Sequence, residues 1–183
     1  NAYPNVSPRY FIKSNGLKTV KGRIYPFGWI SNITTILRNE LGYFPIVKTD
    51  EHGFINPKGL YQANKVDIVL TGDSYTEGCY VKSDETISAV LRKSGFNTIS
   101  LGKSGNGPLI EFSALKEYAE PLKPKIVLWV YYINDLPDLH PEMQSSLLKK
   151  YLNDNEFSQN LISRQDEIDS VLLNYVSQKY ENR

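Results

Sequence analysis

The chain reads as an α/β protein built on a parallel sheet, and three observations predict it. The run Val66–Leu70 is rich in β-branched and aliphatic residues (Val66, Ile68, Val69, Leu70), the pattern of a strand buried on both faces. Two further apolar runs, Asn97–Leu101 and Ile126–Tyr132, follow it with helix-like stretches between, an order that implies parallel strands joined by right-handed crossovers. Each run then ends in a polar loop: Gly72-Asp73-Ser74, Ser104-Gly105-Asn106-Gly107 and Asn134-Asp135. Parallel strands point the same way, so these loops can converge on one crevice, where ligands bind in open α/β sheets.

Taken in order, residues 1–28 hold scattered proline and glycine and read as an irregular or extended lead-in, with a short strand pair around Leu17–Tyr25. From Trp29 the pattern changes. Ile30, Ile33, Ile36, Leu37 and Leu41 fall on one helical face and Gly42 supplies a stop, so one amphipathic helix is expected within an N-terminal extension spanning 1–42. The main domain is then 43–183. Tyr43–Val47 suits a short strand, and Thr49–Pro57 is turn chemistry leading to the central strand. Ser83–Thr86 is a helix start, with Ile87, Val90 and Leu91 as the buried stripe and Gly95 as the end. Pro108 suits the first turn of a helix running to about Glu120. Ile126–Tyr132 is expected as a third buried strand, with Trp129 inside it and Trp29 in a core. Pro137–Tyr151 and Asn160–Tyr180 read as helices, the second carrying Leu161, Ile168, Leu172, Tyr175 and Val176 roughly in phase. Three parallel strands make a thin sheet, so the domain is expected to continue beyond Arg183.

Composition narrows the function. The 183 residues suit one domain, and thirteen tyrosines with seven phenylalanines give ample core material. Lys+Arg against Asp+Glu is 21 to 20, which points to neither nucleic acid nor an anionic membrane surface. No apolar run reaches the roughly 18 residues of a membrane span. The single cysteine, Cys79, has no partner for an intrachain disulfide and reads as a small buried apolar residue. No cofactor and no metal site is expected. Asn5-Val6-Ser7 and Asn32-Ile33-Thr34 match a glycosylation sequon short enough to arise by chance. Met143 is the only methionine, so Asn1 is not an initiator position, and a leader or anchor preceding it is compatible with export or a cell-envelope location.

The converging loops carry the chemistry. Ser74 just past the central strand is a candidate nucleophile, against the plainer reading of a turn serine. A hydroxyl nucleophile needs donors aimed at the oxyanion it creates, and the backbone N–H groups of Ser74 and Gly105 with the side-chain amide of Asn134 can supply them. Glycine at 105 is expected to leave the backbone open to a substrate. The plainer readings are a turn before a helix for Gly105 and a strand-end turn residue for Asn134. Asp73 is expected to support the turn by backbone hydrogen bonds, and Glu77 to cap a loop. His52 and His140 read as solvated surface residues, and Asp166, Glu167 and Asp169 as a solvated helix face.

These motifs resemble those of the SGNH or GDSL esterases and lipases. Gly72-Asp73-Ser74 matches the first motif with Ser74 as nucleophile, Gly105 in LGKSGNGP the second, and Asn134 in YYINDL the third. The longer phrases GDSYTEG, LGKSGNGPLIE and WVYYINDL, with the lead-in DEHGFINP, look like one bacterial subgroup found among envelope and polysaccharide-related proteins. The resemblance covers about residues 43–140. It implies a three-layer α/β/α sandwich of flavodoxin-like topology and a serine esterase acting on a small acyl ester or an acetylated carbohydrate. Two departures stand out. Tyr132 occupies the place two residues before Asn134 where the family usually has glycine. The fourth motif, Asp-x-x-His, is absent: His140 has Pro137 where the aspartate belongs, and the general base is expected beyond Arg183. A non-catalytic carbohydrate-binding or assembly module, or an O-acetyltransferase using the same serine, is the alternative. A nucleotide binder would want a glycine-rich loop where Tyr75-Thr76-Glu77 stands.

Overall fold

In a computed structural model, which describes residues 2–37, 39, 42–62 and 65–180, the chain opens with strand β1 (Tyr3–Pro4) and a 3-10 turn at Pro8–Phe11 capped by Ser7. The expected strand pair follows as an antiparallel hairpin of β2 (Leu17–Thr19) and β3 (Gly22–Ile24). The amphipathic helix expected from Trp29 does not form over its first turns. Thr34–Ile36 is a strand, β4, parallel to β1 and antiparallel to β5 (Ile46–Lys48). Ile33-Thr34-Thr35-Ile36 is a run of β-branched residues, which lose χ1 freedom in a helix and suit a strand. Thr35 is buried there, its hydroxyl donating to the Tyr3 carbonyl at 2.8 Å. Residues 38, 40 and 41, where that helix was to end, lie outside the described residues.

The functional sheet comes next. Strand β6 (Ile68–Gly72) leads into a single helical turn, α1 (Ser74–Glu77), and then α2 (Ile87–Lys93). Strand β7 (Thr98–Ser100) is followed by α3 (Pro108–Ala114), which runs on through a π-helical turn at Leu115–Ala119. Strand β8 (Ile126–Val130) and the helices α4 (Asp135–Glu142), α5 (Ser146–Asn153) and α6 (Gln165–Tyr180) complete the described chain. The sheet order is β7-β6-β8, all parallel, with Val69 opposite both Ile99 and Val127. The protein is thus a mixed α/β molecule whose central strand carries the candidate nucleophile.

Three expectations are corrected by burial. All five residues of β6 and all three of β7 are buried, but Ile126, Val127, Leu128 and Trp129 of β8 are 38–49% exposed, so among the described residues both faces of this edge strand are left partly open. Trp129 is therefore not a core residue, although its Nε1 donates to Glu111 Oε2 at 2.6 Å. Helix α2 starts at Thr86, not Ser83, and buries Ser88 and Ala89 while Ile87 and Val90 face outward. Small residues let that helix lie close to β7, where Arg92 donates to the Thr98 carbonyl. The Pro137–Tyr151 helix is two, broken where Ser145 caps α5.

The lead-in belongs to the core. Phe11, Tyr25, Phe27 and Trp29 are fully buried, with the Phe11 ring against Tyr175 and the Phe27 ring against Tyr151 of the C-terminal helices. Each such aromatic removes roughly 150–250 Å² from water, a gross gain of roughly 4–6 kcal/mol as an upper bound. Four of them make residues 2–37 a structural part of the protein. Gln159 supports this by accepting from the Tyr25 amide at 2.8 Å, and Asp169, expected on a solvated face, accepts from the Ser31 amide and hydroxyl.

Candidate active site

The site begins at the carboxyl end of β6, where Gly72 lets the chain turn. A Cβ there would lie 2.2 Å from Thr76 Oγ1 and 2.7 Å from the Val130 carbonyl, so only glycine fits between α1 and β8. Asp73 then caps α1, its Oδ1 accepting from the Tyr75 amide at 3.0 Å. Ser74 is the first residue of the turn and half-buried. Its hydroxyl donates to Asp73 Oδ2 at 3.4 Å and accepts from the Tyr80 hydroxyl at 3.3 Å. Asn134, just past β8, donates its side-chain amide to the same Asp73 Oδ2 at 3.5 Å. The first and third loops therefore meet at one carboxylate oxygen.

The second loop is tied to α1 by a buried ion pair. Lys103 Nζ and Glu77 Oε1 are 2.8 Å apart, with side chains 1% and 0% exposed. Asn5 bridges them, accepting from Lys103 at 2.8 Å and donating to Glu77 at 2.9 Å. The other Glu77 oxygen accepts from the Ser104 amide at 2.8 Å, from the Ser104 hydroxyl and from the Cys79 thiol. Burial alone would push the Glu77 carboxyl up, but the Lys103 ammonium and these hydrogen bonds outweigh it and hold it down at about 2. Burial and the Glu77 carboxylate push the Cys79 thiol up, so it stays protonated. Lys103 also donates its amide to the Gly72 carbonyl at 3.2 Å, which fixes where the loop leaves the sheet.

Gly105 is not open to a substrate on its side-chain face, contrary to expectation. Its φ is +77°, and a Cβ would lie 2.8 Å from Arg9 Cδ and 3.3 Å from Ser7 Oγ. Glycine is required here because the lead-in crosses the loop, while Arg9 reaches on to Asp138 at 3.2 Å. The loop's far end is anchored by Glu142, which accepts from the amides of Gly107, Leu109 and Ile110 at 2.6–3.3 Å. Burial pushes Glu142 up to about 7 in spite of those three donors. Burial likewise pushes Glu111 up to about 8 and raises Asp135, whose Oδ2 accepts from the Tyr132 amide at 2.6 Å.

A general base is the element not found beside Ser74. His52, expected at the surface, is buried against Tyr61 and Tyr118 with Nδ1 3.3 Å from Gln165 Oε1. His140 is exposed near the end of α4. Among the described residues no histidine is hydrogen-bonded to Ser74, and no group of three metal-ligating side chains converges. A cavity of about 360 Å³ lies behind the second loop, lined by Asn5, Cys79, Lys103 and Ser104 among others, but neither Ser74 nor Asn134 lines it. Ser74 and Asn134 thus lie outside that cavity, at the strand ends. Sequence reasoning missed Tyr80, Arg9 and the Glu77–Lys103 pair. Only the last had a visible signal, a lysine set inside the second polar loop and an acid closing the first turn after Ser74.

Comparison with known proteins adds little. No protein-family model matches the chain, and no curated protein sequence matches it. A solved structure of a mutant of the esterase AlinE4 is similar, at 21% identity over 64% of this chain and 73% of that one, with a TM-score of 0.34. Likeness at that level carries no functional weight, so any reading rests on the residues around Ser74.

Proposed function

We propose that this chain carries the nucleophile and oxyanion donors of a serine esterase of the SGNH or GDSL type, with the three-layer α/β/α architecture of that family. The substrate is a small acyl ester, an O-acetyl group on a carbohydrate included. The observation that carries the reading is the meeting of Ser74 Oγ and Asn134 Nδ2 at Asp73 Oδ2. Two residues 60 positions apart, from loops on neighbouring strands, converge on one carboxylate oxygen at the strand ends.

In this mechanism Ser74 Oγ attacks the ester carbonyl as its proton passes to a histidine base, and the tetrahedral oxyanion is held by the N–H groups of Ser74 and Gly105 and by Asn134 Nδ2. Collapse expels the alcohol, which takes the proton, and water then releases the acid from the acyl-serine. Asp73 keeps Ser74 and Asn134 in register. In the resembled family an Asp-x-x-His motif supplies that base. Hydrolysis of p-nitrophenyl acetate by this chain and by full-length protein, each beside Ser74→Ala, tests the reading. Fluorophosphonate labelling of Ser74 in the full-length protein is expected, and its absence would overturn the assignment. The absence of a histidine partner to Ser74 among the described residues favours a second reading, a non-catalytic SGNH-fold module. Unlabelled full-length protein that still binds carbohydrate would favour it. An O-acetyltransferase would instead be labelled and would pass the acyl group to a sugar hydroxyl faster than to water.

A further inference from the structure

The nucleophile is flanked by aromatic rings that the proposed mechanism does not use. Tyr75 follows Ser74 in the chain, Tyr80 bonds its hydroxyl, and Tyr132 stands two residues before Asn134. The ring centroids of Tyr75 and Tyr132 are 4.7 Å apart at an interplanar angle of 39°, and those of Tyr75 and Tyr80 are 5.6 Å apart at 50°. A hydrogen bond to Tyr132 raises the Tyr75 hydroxyl, and the Tyr132 amide is fixed on Asp135. Yet Tyr75 and Tyr132 remain 49% and 45% exposed. Large rings held by their neighbours, with apolar faces open to solvent, form a binding surface that loses little entropy when it is covered.

We propose that Tyr75 and Tyr132 form a stacking subsite for the pyranose ring of a neutral sugar ester. Stacking follows from the surface itself, whereas placing the ester at Ser74 rests on the esterase reading. The ligand chemistry comes from the surroundings. A pyranose offers a rigid C–H face to an aromatic ring and hydroxyls at its edge, and the edge of this subsite is polar, with the two tyrosine hydroxyls and the exposed Asn134. Both tyrosine amides are already taken by carboxyl groups, Tyr75 by Asp73 and Tyr132 by Asp135, so neither is free to receive a phosphate, uronate or free carboxylate. A long alkyl chain wants walls on several sides, and two exposed rings offer one. The subsite also gives a use to Tyr132, which stands where the resembled family usually has glycine.

Aromatic proton NMR of the Ser74→Ala chain, titrated with methyl 6-O-acetyl-glucopyranoside, tests the subsite without requiring catalysis. Saturable shifts are expected in the Tyr75 and Tyr132 ring signals, with upfield shifts of the sugar C–H protons that lie over the rings. Tyr132→Ala and Tyr75→Ala should each weaken binding by roughly tenfold, while Tyr132→Phe, which keeps the ring, retains most of it. Unmoved ring signals would overturn the proposal, as would equal affinity for the acyclic triester triacetin or tighter binding of glucose 6-phosphate. Ring shifts without fluorophosphonate labelling of the full-length protein would uphold the subsite and remove the esterase. Labelling without ring shifts would do the reverse.

Discussion

The two sides of Ser74 are built in opposite ways. On the side of the second loop, every turn is fastened by buried charge: Glu77 on Lys103, Asn5 and Ser104, and Glu142 on three amides at the start of α3. On the side of β8, the Asn134 side chain makes a hydrogen bond of 3.5 Å, its neighbours Tyr131, Ile133 and Leu136 are exposed, and among the described residues the strand leading to it has an open edge. A donor fixed by the protein before a substrate arrives costs no reorganisation when charge develops. The second loop is held in that way, and the Asn134 side chain is not.

The comparison is most exposed to removal of Glu77. Glu77→Ala leaves the Lys103 ammonium buried without its carboxylate, and a loss of about 3–5 kcal/mol in urea unfolding is expected. Lys103→Met, which strands the carboxylate, should cost a similar amount. Asn134→Ala should cost less than about 1 kcal/mol, since its hydrogen bond is long and at an exposed rim. Equal losses on both sides would break the contrast. Gly72→Ala comes next, because its methyl group meets Thr76 and the Val130 carbonyl where the two sides join. Overpacking of that kind costs roughly 1–3 kcal/mol, and Phe substitutions at the rim should not approach it.

The same division explains what could be read from the sequence. Strand β6 and the turn at Gly72 follow from local pattern, since a fully apolar strand and its polar end need no knowledge of distant neighbours. Thr34–Ile36 was misread because helical periodicity and β-branching conflicted, and pairing with Tyr3–Pro4 and Ile46–Lys48 decided between them. His52, Arg9 and Lys103 were opaque for a different reason. Their surroundings come from segments as distant as Gln165, Asp138 and Asn5, and no local pattern encodes such contacts. The exposure of β8 was equally hidden, because apolar composition does not report whether other elements cover a strand's faces: β7, also at an edge, is buried throughout.

A pH dependence distinguishes the sides further. Glu111 lies beneath the β8 side, with Oε2 on the Trp129 indole and Oε1 buried without a partner. Burial raises it to about 8, above its ordinary 4.5. A folded-state pKa above the unfolded one means that the native protein holds the proton more tightly. Its contribution to stability is therefore full below about 4.5 and is lost as pH rises through about 8. Urea unfolding at intervals from pH 5 to 8.5 should show stability falling, and Glu111→Gln, which cannot ionise, should flatten that fall. Trp129 emission should change over the same interval in the parent chain and stay level in the variant. Glu77, depressed to about 2, behaves oppositely: its contribution is present above about 4.5 and lost only as pH falls through about 2.

The smallest effect on stability is expected at the open edge itself. Ile126 and Leu128 point to one face of β8 and are partly exposed, so Ile126→Lys and Leu128→Lys should each shift unfolding by no more than about 0.5 kcal/mol. Their effect should appear in association. A parallel edge with unpaired backbone groups and apolar side chains is a template for another strand, and lysine is the residue that blunts such edges. Sedimentation at rising concentration should therefore show self-association in the parent chain and less of it in the double variant. If the parent stays monomeric throughout, its edge needs no cover. If instead the lysines unfold the protein, β8 is packed more tightly than its exposure states, and the two sides of Ser74 are less different than their hydrogen bonds make them.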